Sequence, residues 1–238
     1  MHFGILAAGE GSRLACEGEK LPKPLVRIDG LPMIERLIRI FENCGAESVS
    51  VVVNGFMPEV ESFLRGMKMK PGVELEVKVK TTPSSMHTFH ELSSMLRGKG
   101  RFIATTVDTI FHEEDFRRYV EAFEKAPAGI DGMMAVTDYI DDEKPLYVDV
   151  DGEGDILAFR DTPWSGARFV SGGIYGLDSR AIDILDDCME QGVSRMRNYQ
   201  RALVGAGLTL KAFPMGKIID VDHVGDIRKA EELISSPR

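Results

Sequence analysis

Cysteine is scarce. Cys16, Cys44 and Cys188 are the three in a chain of 238 residues, odd in number and widely scattered. They form neither a disulfide framework nor a zinc-ligand spacing, which points to a reducing compartment and a cytoplasmic protein. No apolar run approaches the ~20 residues that a membrane-crossing helix needs. The first residues, Met1 to Gly9, lack the basic segment that opens a secretory signal, so none is expected. An excess of positive charge is missing too: 29 Lys and Arg face 38 Asp and Glu, a formal net charge of −9. That balance excludes a broad nucleic-acid-binding face but leaves room for a local basic pocket that holds a phosphorylated small molecule. Repeats, low-complexity tracts and linkers rich in Pro, Gly or Ser are absent. The expectation is therefore one domain over residues 1–238, with 43% hydrophobic residues to supply its core.

What is present alternates. Phe3–Ala7, Ser48–Val53, Val73–Val79 and Phe102–Val107 read as strands. Helical spacing marks Met33–Phe41, Pro58–Leu64, His87–Leu96 and Glu113–Lys125. Strands alternating with helices imply a mostly parallel sheet covered by helices on both faces. The second half is less regular. Strands are predicted at Met133–Val136, Tyr147–Val150, Ile156–Phe159, Phe169–Leu177, Leu210–Phe213 and Ile218–Val221, with helices at Asp178–Met189, Ser194–Val204 and Val224–Ile234. The fold class is α/β with a mixed, mostly parallel sheet and an antiparallel addition in the second half.

Directly after the first strand comes Leu6-Ala7-Ala8-Gly9-Glu10-Gly11-Ser12-Arg13-Leu14. Two glycines one residue apart let the backbone turn tightly and aim successive N–H groups into one concavity, which suits an anion. The carboxyl end of a parallel strand is also where open α/β sheets bind ligands. It is not a dinucleotide fingerprint, because Leu14 stands at the third glycine position. Nor is it a P-loop, because Glu10-Gly11 stands where Lys-Ser/Thr is required. Arg13 and Lys23 flank the loop, and Lys23 lies between Pro22 and Pro24, which are expected to hold the backbone extended there.

The loop, followed by Pro22-Lys23-Pro24-Leu25-Val26 and then Ile28-Asp29-Gly30-Leu31-Pro32-Met33-Ile34, resembles the signature of the sugar-1-phosphate nucleotidyltransferases, and related cytidylyltransferases share the opening. The resemblance implies a single Rossmann-like, GT-A-like domain that binds a nucleoside triphosphate over Ala7, Ala8, Gly9, Gly11 and Ser12. It places Arg13 and Lys23 on the phosphates. Its activity would be NTP plus sugar 1-phosphate giving NDP-sugar plus pyrophosphate, so its partners are an NTP and a phosphorylated small molecule, not nucleic acid or membrane.

Such a transfer calls for a divalent ion, because an anionic phosphate must attack an anionic α-phosphate, and hard oxygen ligands suit Mg²⁺. Phe102 to Asp108 is a strand ending in an aspartate and resembles the family's strand ending in Gly-Asp, with Val107 in the glycine's place. The segment Lys217-Ile-Ile-Asp220-Val-Asp222 is similar to the family's closing strand, and either Asp220 or Asp222 matches its metal-binding acid. Asp222 immediately precedes the last predicted helix, where an aspartate serves as N-cap, so Asp220 is the expected ligand. Phe169 to Gly176 resembles the sugar-pocket segment, with Gly172 and Gly173 permitting close approach.

Three departures stand out. The base-recognition segment is Pro83-Ser84-Ser85-Met86-His87-Thr88, in which Ser84 and Ser85 are the candidate hydrogen-bonders to base or ribose. Asp161-Thr162-Pro163 replaces the family's Glu-Lys-Pro, so the acceptor-phosphate lysine is missing and Arg160 or Arg168 would have to stand in. No appended β-helical acyltransferase domain is expected, the sequence ending at Arg238. The missing lysine encourages a rival reading, a cytidylyltransferase acting on a phosphorylated alcohol such as phosphocholine. A silent nucleotide-binding module on the same fold is a third, opposed by the joint retention of Arg13, Lys23, Asp108 and Asp220. His87 and His90 read as structural or pocket-edge histidines, and Asp149 to Gly154 reads as a hairpin turn, not a calcium loop.

Overall fold

A computed structural model describes residues 1–236. In chain order it contains β1 (His2–Ala7), α1 (Ser12–Cys16), a 3-10 turn (Lys23–Leu25), β2 (Arg27–Ile28), β3 (Leu31–Pro32), α2 (Met33–Asn43), β4 (Ser48–Val53), α3 (Pro58–Arg65), β5 (Glu74–Val79) and α4 (Ser85–Leu96). There follow β6 (Phe102–Thr106), β7 (Thr109–Ile110), α5 (Glu113–Glu124), β8 (Gly132–Thr137), β9 (Tyr147–Val150), β10 (Ile156–Arg160) and β11 (Phe169–Leu177). The chain closes with α6 (Ser179–Glu190), α7 (Met196–Gly205), β12 (Leu210–Pro214), β13 (Ile219–Asp220) and α8 (Val224–Ser235). Among the described residues no helix is long and apolar enough to cross a membrane.

Nine strands form one sheet in the order β10-β9-β11-β6-β1-β4-β5, with β8 and β12 branching from β11. The first-half strands β6, β1, β4 and β5 are parallel, and β11 joins antiparallel against β6. This is the mixed α/β architecture that the strand–helix alternation implies. Its two faces bury separate cores because strand side chains alternate. Phe3, Ile5 and Ala7 of β1 face α2, α3 and α5, whereas Leu6 faces α4, α6 and α7. A third, smaller core gathers Leu14, Val26, Ile28, Ile110, Ile219, Val221 and Ala230. It stitches the loop after β1 to β7, β13 and α8.

The extended backbone expected at Lys23 is not what forms. Pro22 is extended, but Lys23–Leu25 closes a 3-10 turn through Leu25 N–H donating to the Pro22 carbonyl (2.7 Å) and Val26 N–H to the Lys23 carbonyl (3.2 Å). These local hydrogen bonds override the preference that the following proline imposes. Nor does Asp222 cap α8: His223 is its N-cap, and Asp226 accepts from the His223 N–H (2.9 Å).

Strand β11 is packed tightly enough to test. A Cβ at Gly176 would lie 2.8 Å from the Tyr119 hydroxyl oxygen and 2.9 Å from Phe123 Cδ1. Tyr119 itself donates to the Met133 carbonyl (2.7 Å). Gly176→Ala is expected to cost about 1–3 kcal/mol through overpacking, read as a lower midpoint in thermal or urea unfolding. An unchanged midpoint would contradict this packing.

Candidate active site

The functional residues collect where the parallel strands end. From β1 the chain moves to β4 on one side and later returns to β6 on the other, so the β1/β6 boundary is the topological switch point, where open α/β sheets form a crevice. Beyond β1 lies the glycine loop and beyond β6 lies Asp108. Short β13 then pairs antiparallel with β7, setting Asp220 opposite Thr109, and the Val221 N–H donates to the Asp108 carbonyl (3.0 Å). Ile219 and Val221 point into the third core, so alternation turns Asp220 and Asp222 outward to the crevice.

At the centre sits the Lys23 ammonium, its side chain only 10% exposed, ion-paired to Asp108 and, at 2.6 Å, to Asp222. The second Asp222 oxygen accepts from Arg13 (2.6 Å). Burial alone would make Lys23 easier to deprotonate, but the charges of Asp108 and Asp222 outweigh it and hold its pKa above the ordinary lysine value. Burial opposes ionisation of Asp222 as well, and Lys23 followed by Arg13 overcomes it, keeping that carboxyl below its usual range. Asp220 is exposed to the crevice, with protein packed closely around it. The surrounding protein and then the Asp108 charge push its pKa up, with a hydrogen bond from Thr109 (3.1 Å) in opposition.

Glycine at position 11 makes this cluster possible. Gly11 is left-handed (φ 63°), and a Cβ there would meet Lys23 Cβ at 2.7 Å, so the loop and the lysine stem can pass only without a side chain. The far end of α1 is clipped to α8. Glu17 accepts from the Val224 N–H (2.7 Å) and bonds His223 Nδ1 (2.5 Å). Nothing in the sequence marked Glu17 for that task.

Two cavities meet at the cluster, and both are walled by Arg13 and Asp222. The first, about 420 Å³, is lined by Ala8, Gly9, Gly11 and Ser12 on one side and by Ser84 and Ser85 on the other, with Lys23 and Asp108 at its floor. Ser84 bonds His87 Nδ1 (2.8 Å), and Thr82 bonds Thr88 (2.6 Å). The second, about 380 Å³, holds Gly172, Asp220, Tyr139, Lys229 and the acidic stretch Asp141 to Glu143. The residues expected to bind nucleotide, sugar or metal are therefore brought together, with two exceptions among them. Ala7 is buried in the sheet core and Gly173 lines neither cavity. Where a Cβ on Gly173 would go stand the hydroxyls of Thr109 (3.0 Å) and Thr106 (3.1 Å).

Neither arginine expected to replace the missing acceptor lysine reaches the second cavity. Arg160 bonds Asp149 (2.7 Å) and lies over Trp164, while Arg168 lies over Phe169. The basic side chains that do line it are Arg13, His223 and Lys229, and Lys229 is held by Asp141 (2.6 Å) and Asp226 (3.1 Å). Tyr139, whose ring carries the Lys217 ammonium 4.1 Å from its centre, and Lys229 were not foreseen.

The donor set fits a hard divalent cation of a particular kind. Among the described residues no three His, Cys, Asp or Glu side chains are placed to cage an ion by themselves. Both oxygens of Asp222 are engaged, by Lys23 and Arg13, and Lys23 takes one oxygen of Asp108, which leaves Asp220 and the second oxygen of Asp108, on two carboxylates whose mutual repulsion a cation would relieve. One or two carboxylates completed by substrate phosphates and water is the usual protein environment of Mg²⁺.

Residues 4–162 match the family model of the MobA-like NTP transferase domain. A bifunctional IPC transferase and DIPP synthase from Archaeoglobus fulgidus is 24% identical over 244 residues, covering 98% of this chain and 43% of that protein. A 2-aminoethylphosphonate cytidylyltransferase from Lancefieldella rimae is 43% identical over 60 residues, 25% of this chain and 24% of that protein. The matched region is thus less than half of either relative's length. The inositol-1-phosphate CTP transferase of T. maritima shares the fold, with a TM-score of 0.79 at 20% identity over 99% of this chain and 98% of the other. The family match extends from within β1 through the glycine loop, Lys23 and Asp108 to just beyond β10, and on it the chain belongs to the MobA-like NTP transferase family.

Proposed function

We propose that the protein transfers a nucleotidyl group from an NTP to the phosphate of a small phosphorylated polyol, a sugar 1-phosphate or an inositol phosphate, and releases pyrophosphate. The observation that carries this reading is the cluster of Lys23, Arg13 and three aspartates standing as the wall between two cavities, one for each substrate. The glycine loop and Ser12 would take the triphosphate in the first cavity, with the base toward Ser84 and Ser85. The acceptor would enter the second cavity beside Gly172.

An acceptor phosphate monoester is already anionic near neutral pH, because its second pKa is about 6, so its oxygen needs no general base. This fits a cluster whose centre contains no histidine. That oxygen attacks the α-phosphorus, the new P–O bond forms opposite the bond to the β-phosphate, and the electron pair leaves with pyrophosphate. Lys23 has three N–H donors, two of them engaged by Asp108 and Asp222, which leaves one for a triphosphate oxygen. Arg13 reaches the same cavity and adds a second fixed positive charge against the departing pyrophosphate. Mg²⁺, held by Asp108 and Asp220, would supply charge neutralisation at the α-phosphate.

A second acceptor class has its own support. The second cavity has carboxylates at Asp141, Asp142, Glu143, Asp220, Asp222 and Asp226 against Arg13, Lys229 and His223, an acidic balance that suits a phosphorylated amino alcohol or an aminoalkylphosphonate. Release of pyrophosphate from each of four NTPs, screened against sugar 1-phosphates, inositol phosphate and phosphocholine, separates the two classes. Turnover is expected with one class, and none with any pair would contradict transferase activity at this site.

Lys23→Ala is expected to lower kcat by about 10²–10³ with the far-UV circular dichroism retained, and Arg13→Ala to weaken NTP binding as well. Near-wild-type pyrophosphate release from both variants would overturn the assignment of the wall. Arg160→Ala and Arg168→Ala are expected to leave the acceptor KM unchanged, since both side chains are engaged outside the cavity. A rise of about tenfold, worth about 1.4 kcal/mol, would place one of them on the acceptor phosphate.

A further inference from the structure

We propose that Thr109 is a positioning residue for Asp220, the last link of a one-way hydroxyl chain from Thr106 that holds one carboxylate oxygen so that the other faces the crevice. The proposal rests on the reading of Asp220 as a cation ligand.

Asp220 acting as a cation ligand is ionised and only accepts, so in that state the Thr109 hydroxyl, 3.1 Å away, donates to Asp220 Oδ1. A threonine has a single hydroxyl proton. The 2.6 Å contact between the Thr106 and Thr109 hydroxyls is therefore donated by Thr106. Hydrogen bonds in such a series polarise one another, so the donor that reaches Asp220 is stronger than a lone hydroxyl.

Three elements converge to keep this chain in place. Thr109, 2% exposed, lies on β7 directly opposite Asp220 on β13. Thr106 ends β6. Gly173 (φ 71°) leaves its own side-chain space to the two hydroxyl oxygens, at 3.0 and 3.1 Å from where its Cβ would be. It sits in the register break of β11 between Ser171 and Tyr175. The missing side chain at Gly173 thus makes room for protein hydroxyls, not for a sugar ring.

A need for this support follows from the charges. Asp108 and Asp220 repel, and among the described residues Asp220 forms no ion pair such as Asp222 forms with Lys23 and Arg13. Left to itself the Asp220 side chain would rotate toward water. A donor fixed to one oxygen holds the rotamer in which the two carboxylates share the crevice, ready for a cation between them. Outer-shell partners of this kind typically contribute 10–100-fold in metal affinity.

The test is Mn²⁺ binding followed by electron paramagnetic resonance, with a non-hydrolysable NTP analogue present and no turnover. Wild type, Asp220→Asn, Thr109→Val, Thr109→Ser and Gly173→Ala are compared, with thermal melting to report folding. Asp220→Asn is expected to abolish nucleotide-dependent Mn²⁺ binding. Thr109→Val should weaken it about 10–100-fold, Thr109→Ser should restore it, and Gly173→Ala, which displaces the hydroxyls without removing them, should weaken it by a second route that stands if Thr109→Val fails to fold. Wild-type affinity in Thr109→Val, or in Gly173→Ala where Thr109→Val does not fold, with binding lost in Asp220→Asn, would overturn the positioning role and leave the ligand reading intact. Wild-type affinity in Asp220→Asn would overturn the ligand reading and the positioning role with it.

Discussion

The ammonium of Lys23 between Asp108 and Asp222 is the contact on which the rest of the site depends. It ties three parts of the chain that are remote in sequence: the loop after β1, the end of β6 and the lead into α8. A buried ion pair stabilises little in net terms, because removing two charges from water costs about as much as their attraction returns. Removing one partner is expensive, because the other is left uncompensated. Such a pair specifies geometry more than it adds stability. Here the geometry it specifies is a positive charge between acids at the junction of two cavities, with Arg13 on the outer Asp222 oxygen.

That charge cluster is supported by apolar packing beneath it. The third core takes Leu14 from α1, Val26 from beyond the lysine, Ile110 from β7 and Ile219 and Val221 around β13. Leu14, Ile110, Ile219 and Val221 each anchor a polar neighbour one step along the chain, and Val26 lies three residues beyond Lys23. Strand alternation then sends Asp220 and Asp222 to the crevice as Ile219 and Val221 go inward. Small residues complete the fit where backbones must approach: Gly11 lets the lysine stem pass, and Gly172 leaves space into which Ile218 Cδ1 intrudes, 2.4 Å from where a Cβ would be.

Much of this was legible in the sequence. Ser48–Val53, Tyr147–Val150 and Phe169–Leu177 were read with the bounds the strands have, since each is an apolar or alternating run between clear breaks. The glycine loop and the aspartate after β6 were legible because each stands at the end of a strong strand signal, and Lys23 because Pro22 and Pro24 frame it. Elements too short to have a period were not: α1 has five residues and β2, β3 and β7 two each, and these form through tertiary contacts. The α8 cap was misplaced by one residue because Asp222 satisfies the N-cap pattern locally, while Lys23 and Arg13, distant in sequence, claim its side chain. The same limit hid the lining of the second cavity. Arg160 and Arg168 were chosen for proximity to the missing lysine, yet the hairpin of β9 and β10 gives Arg160 to Asp149 and Trp164. Thr109 had no signal at all, because its hydroxyl matters only through the pairing of β7 with β13.

The most direct test of the account is a crystal structure with a non-hydrolysable NTP analogue and Mn²⁺, located by its anomalous signal. The account requires the triphosphate over residues 8–13 with one oxygen on the Lys23 ammonium, and the Mn²⁺ on Asp108 and Asp220, with Asp222 still bound to Lys23 and Arg13. A nucleotide seated in the second cavity, or Mn²⁺ bound to Asp222 in place of Asp220, would contradict it.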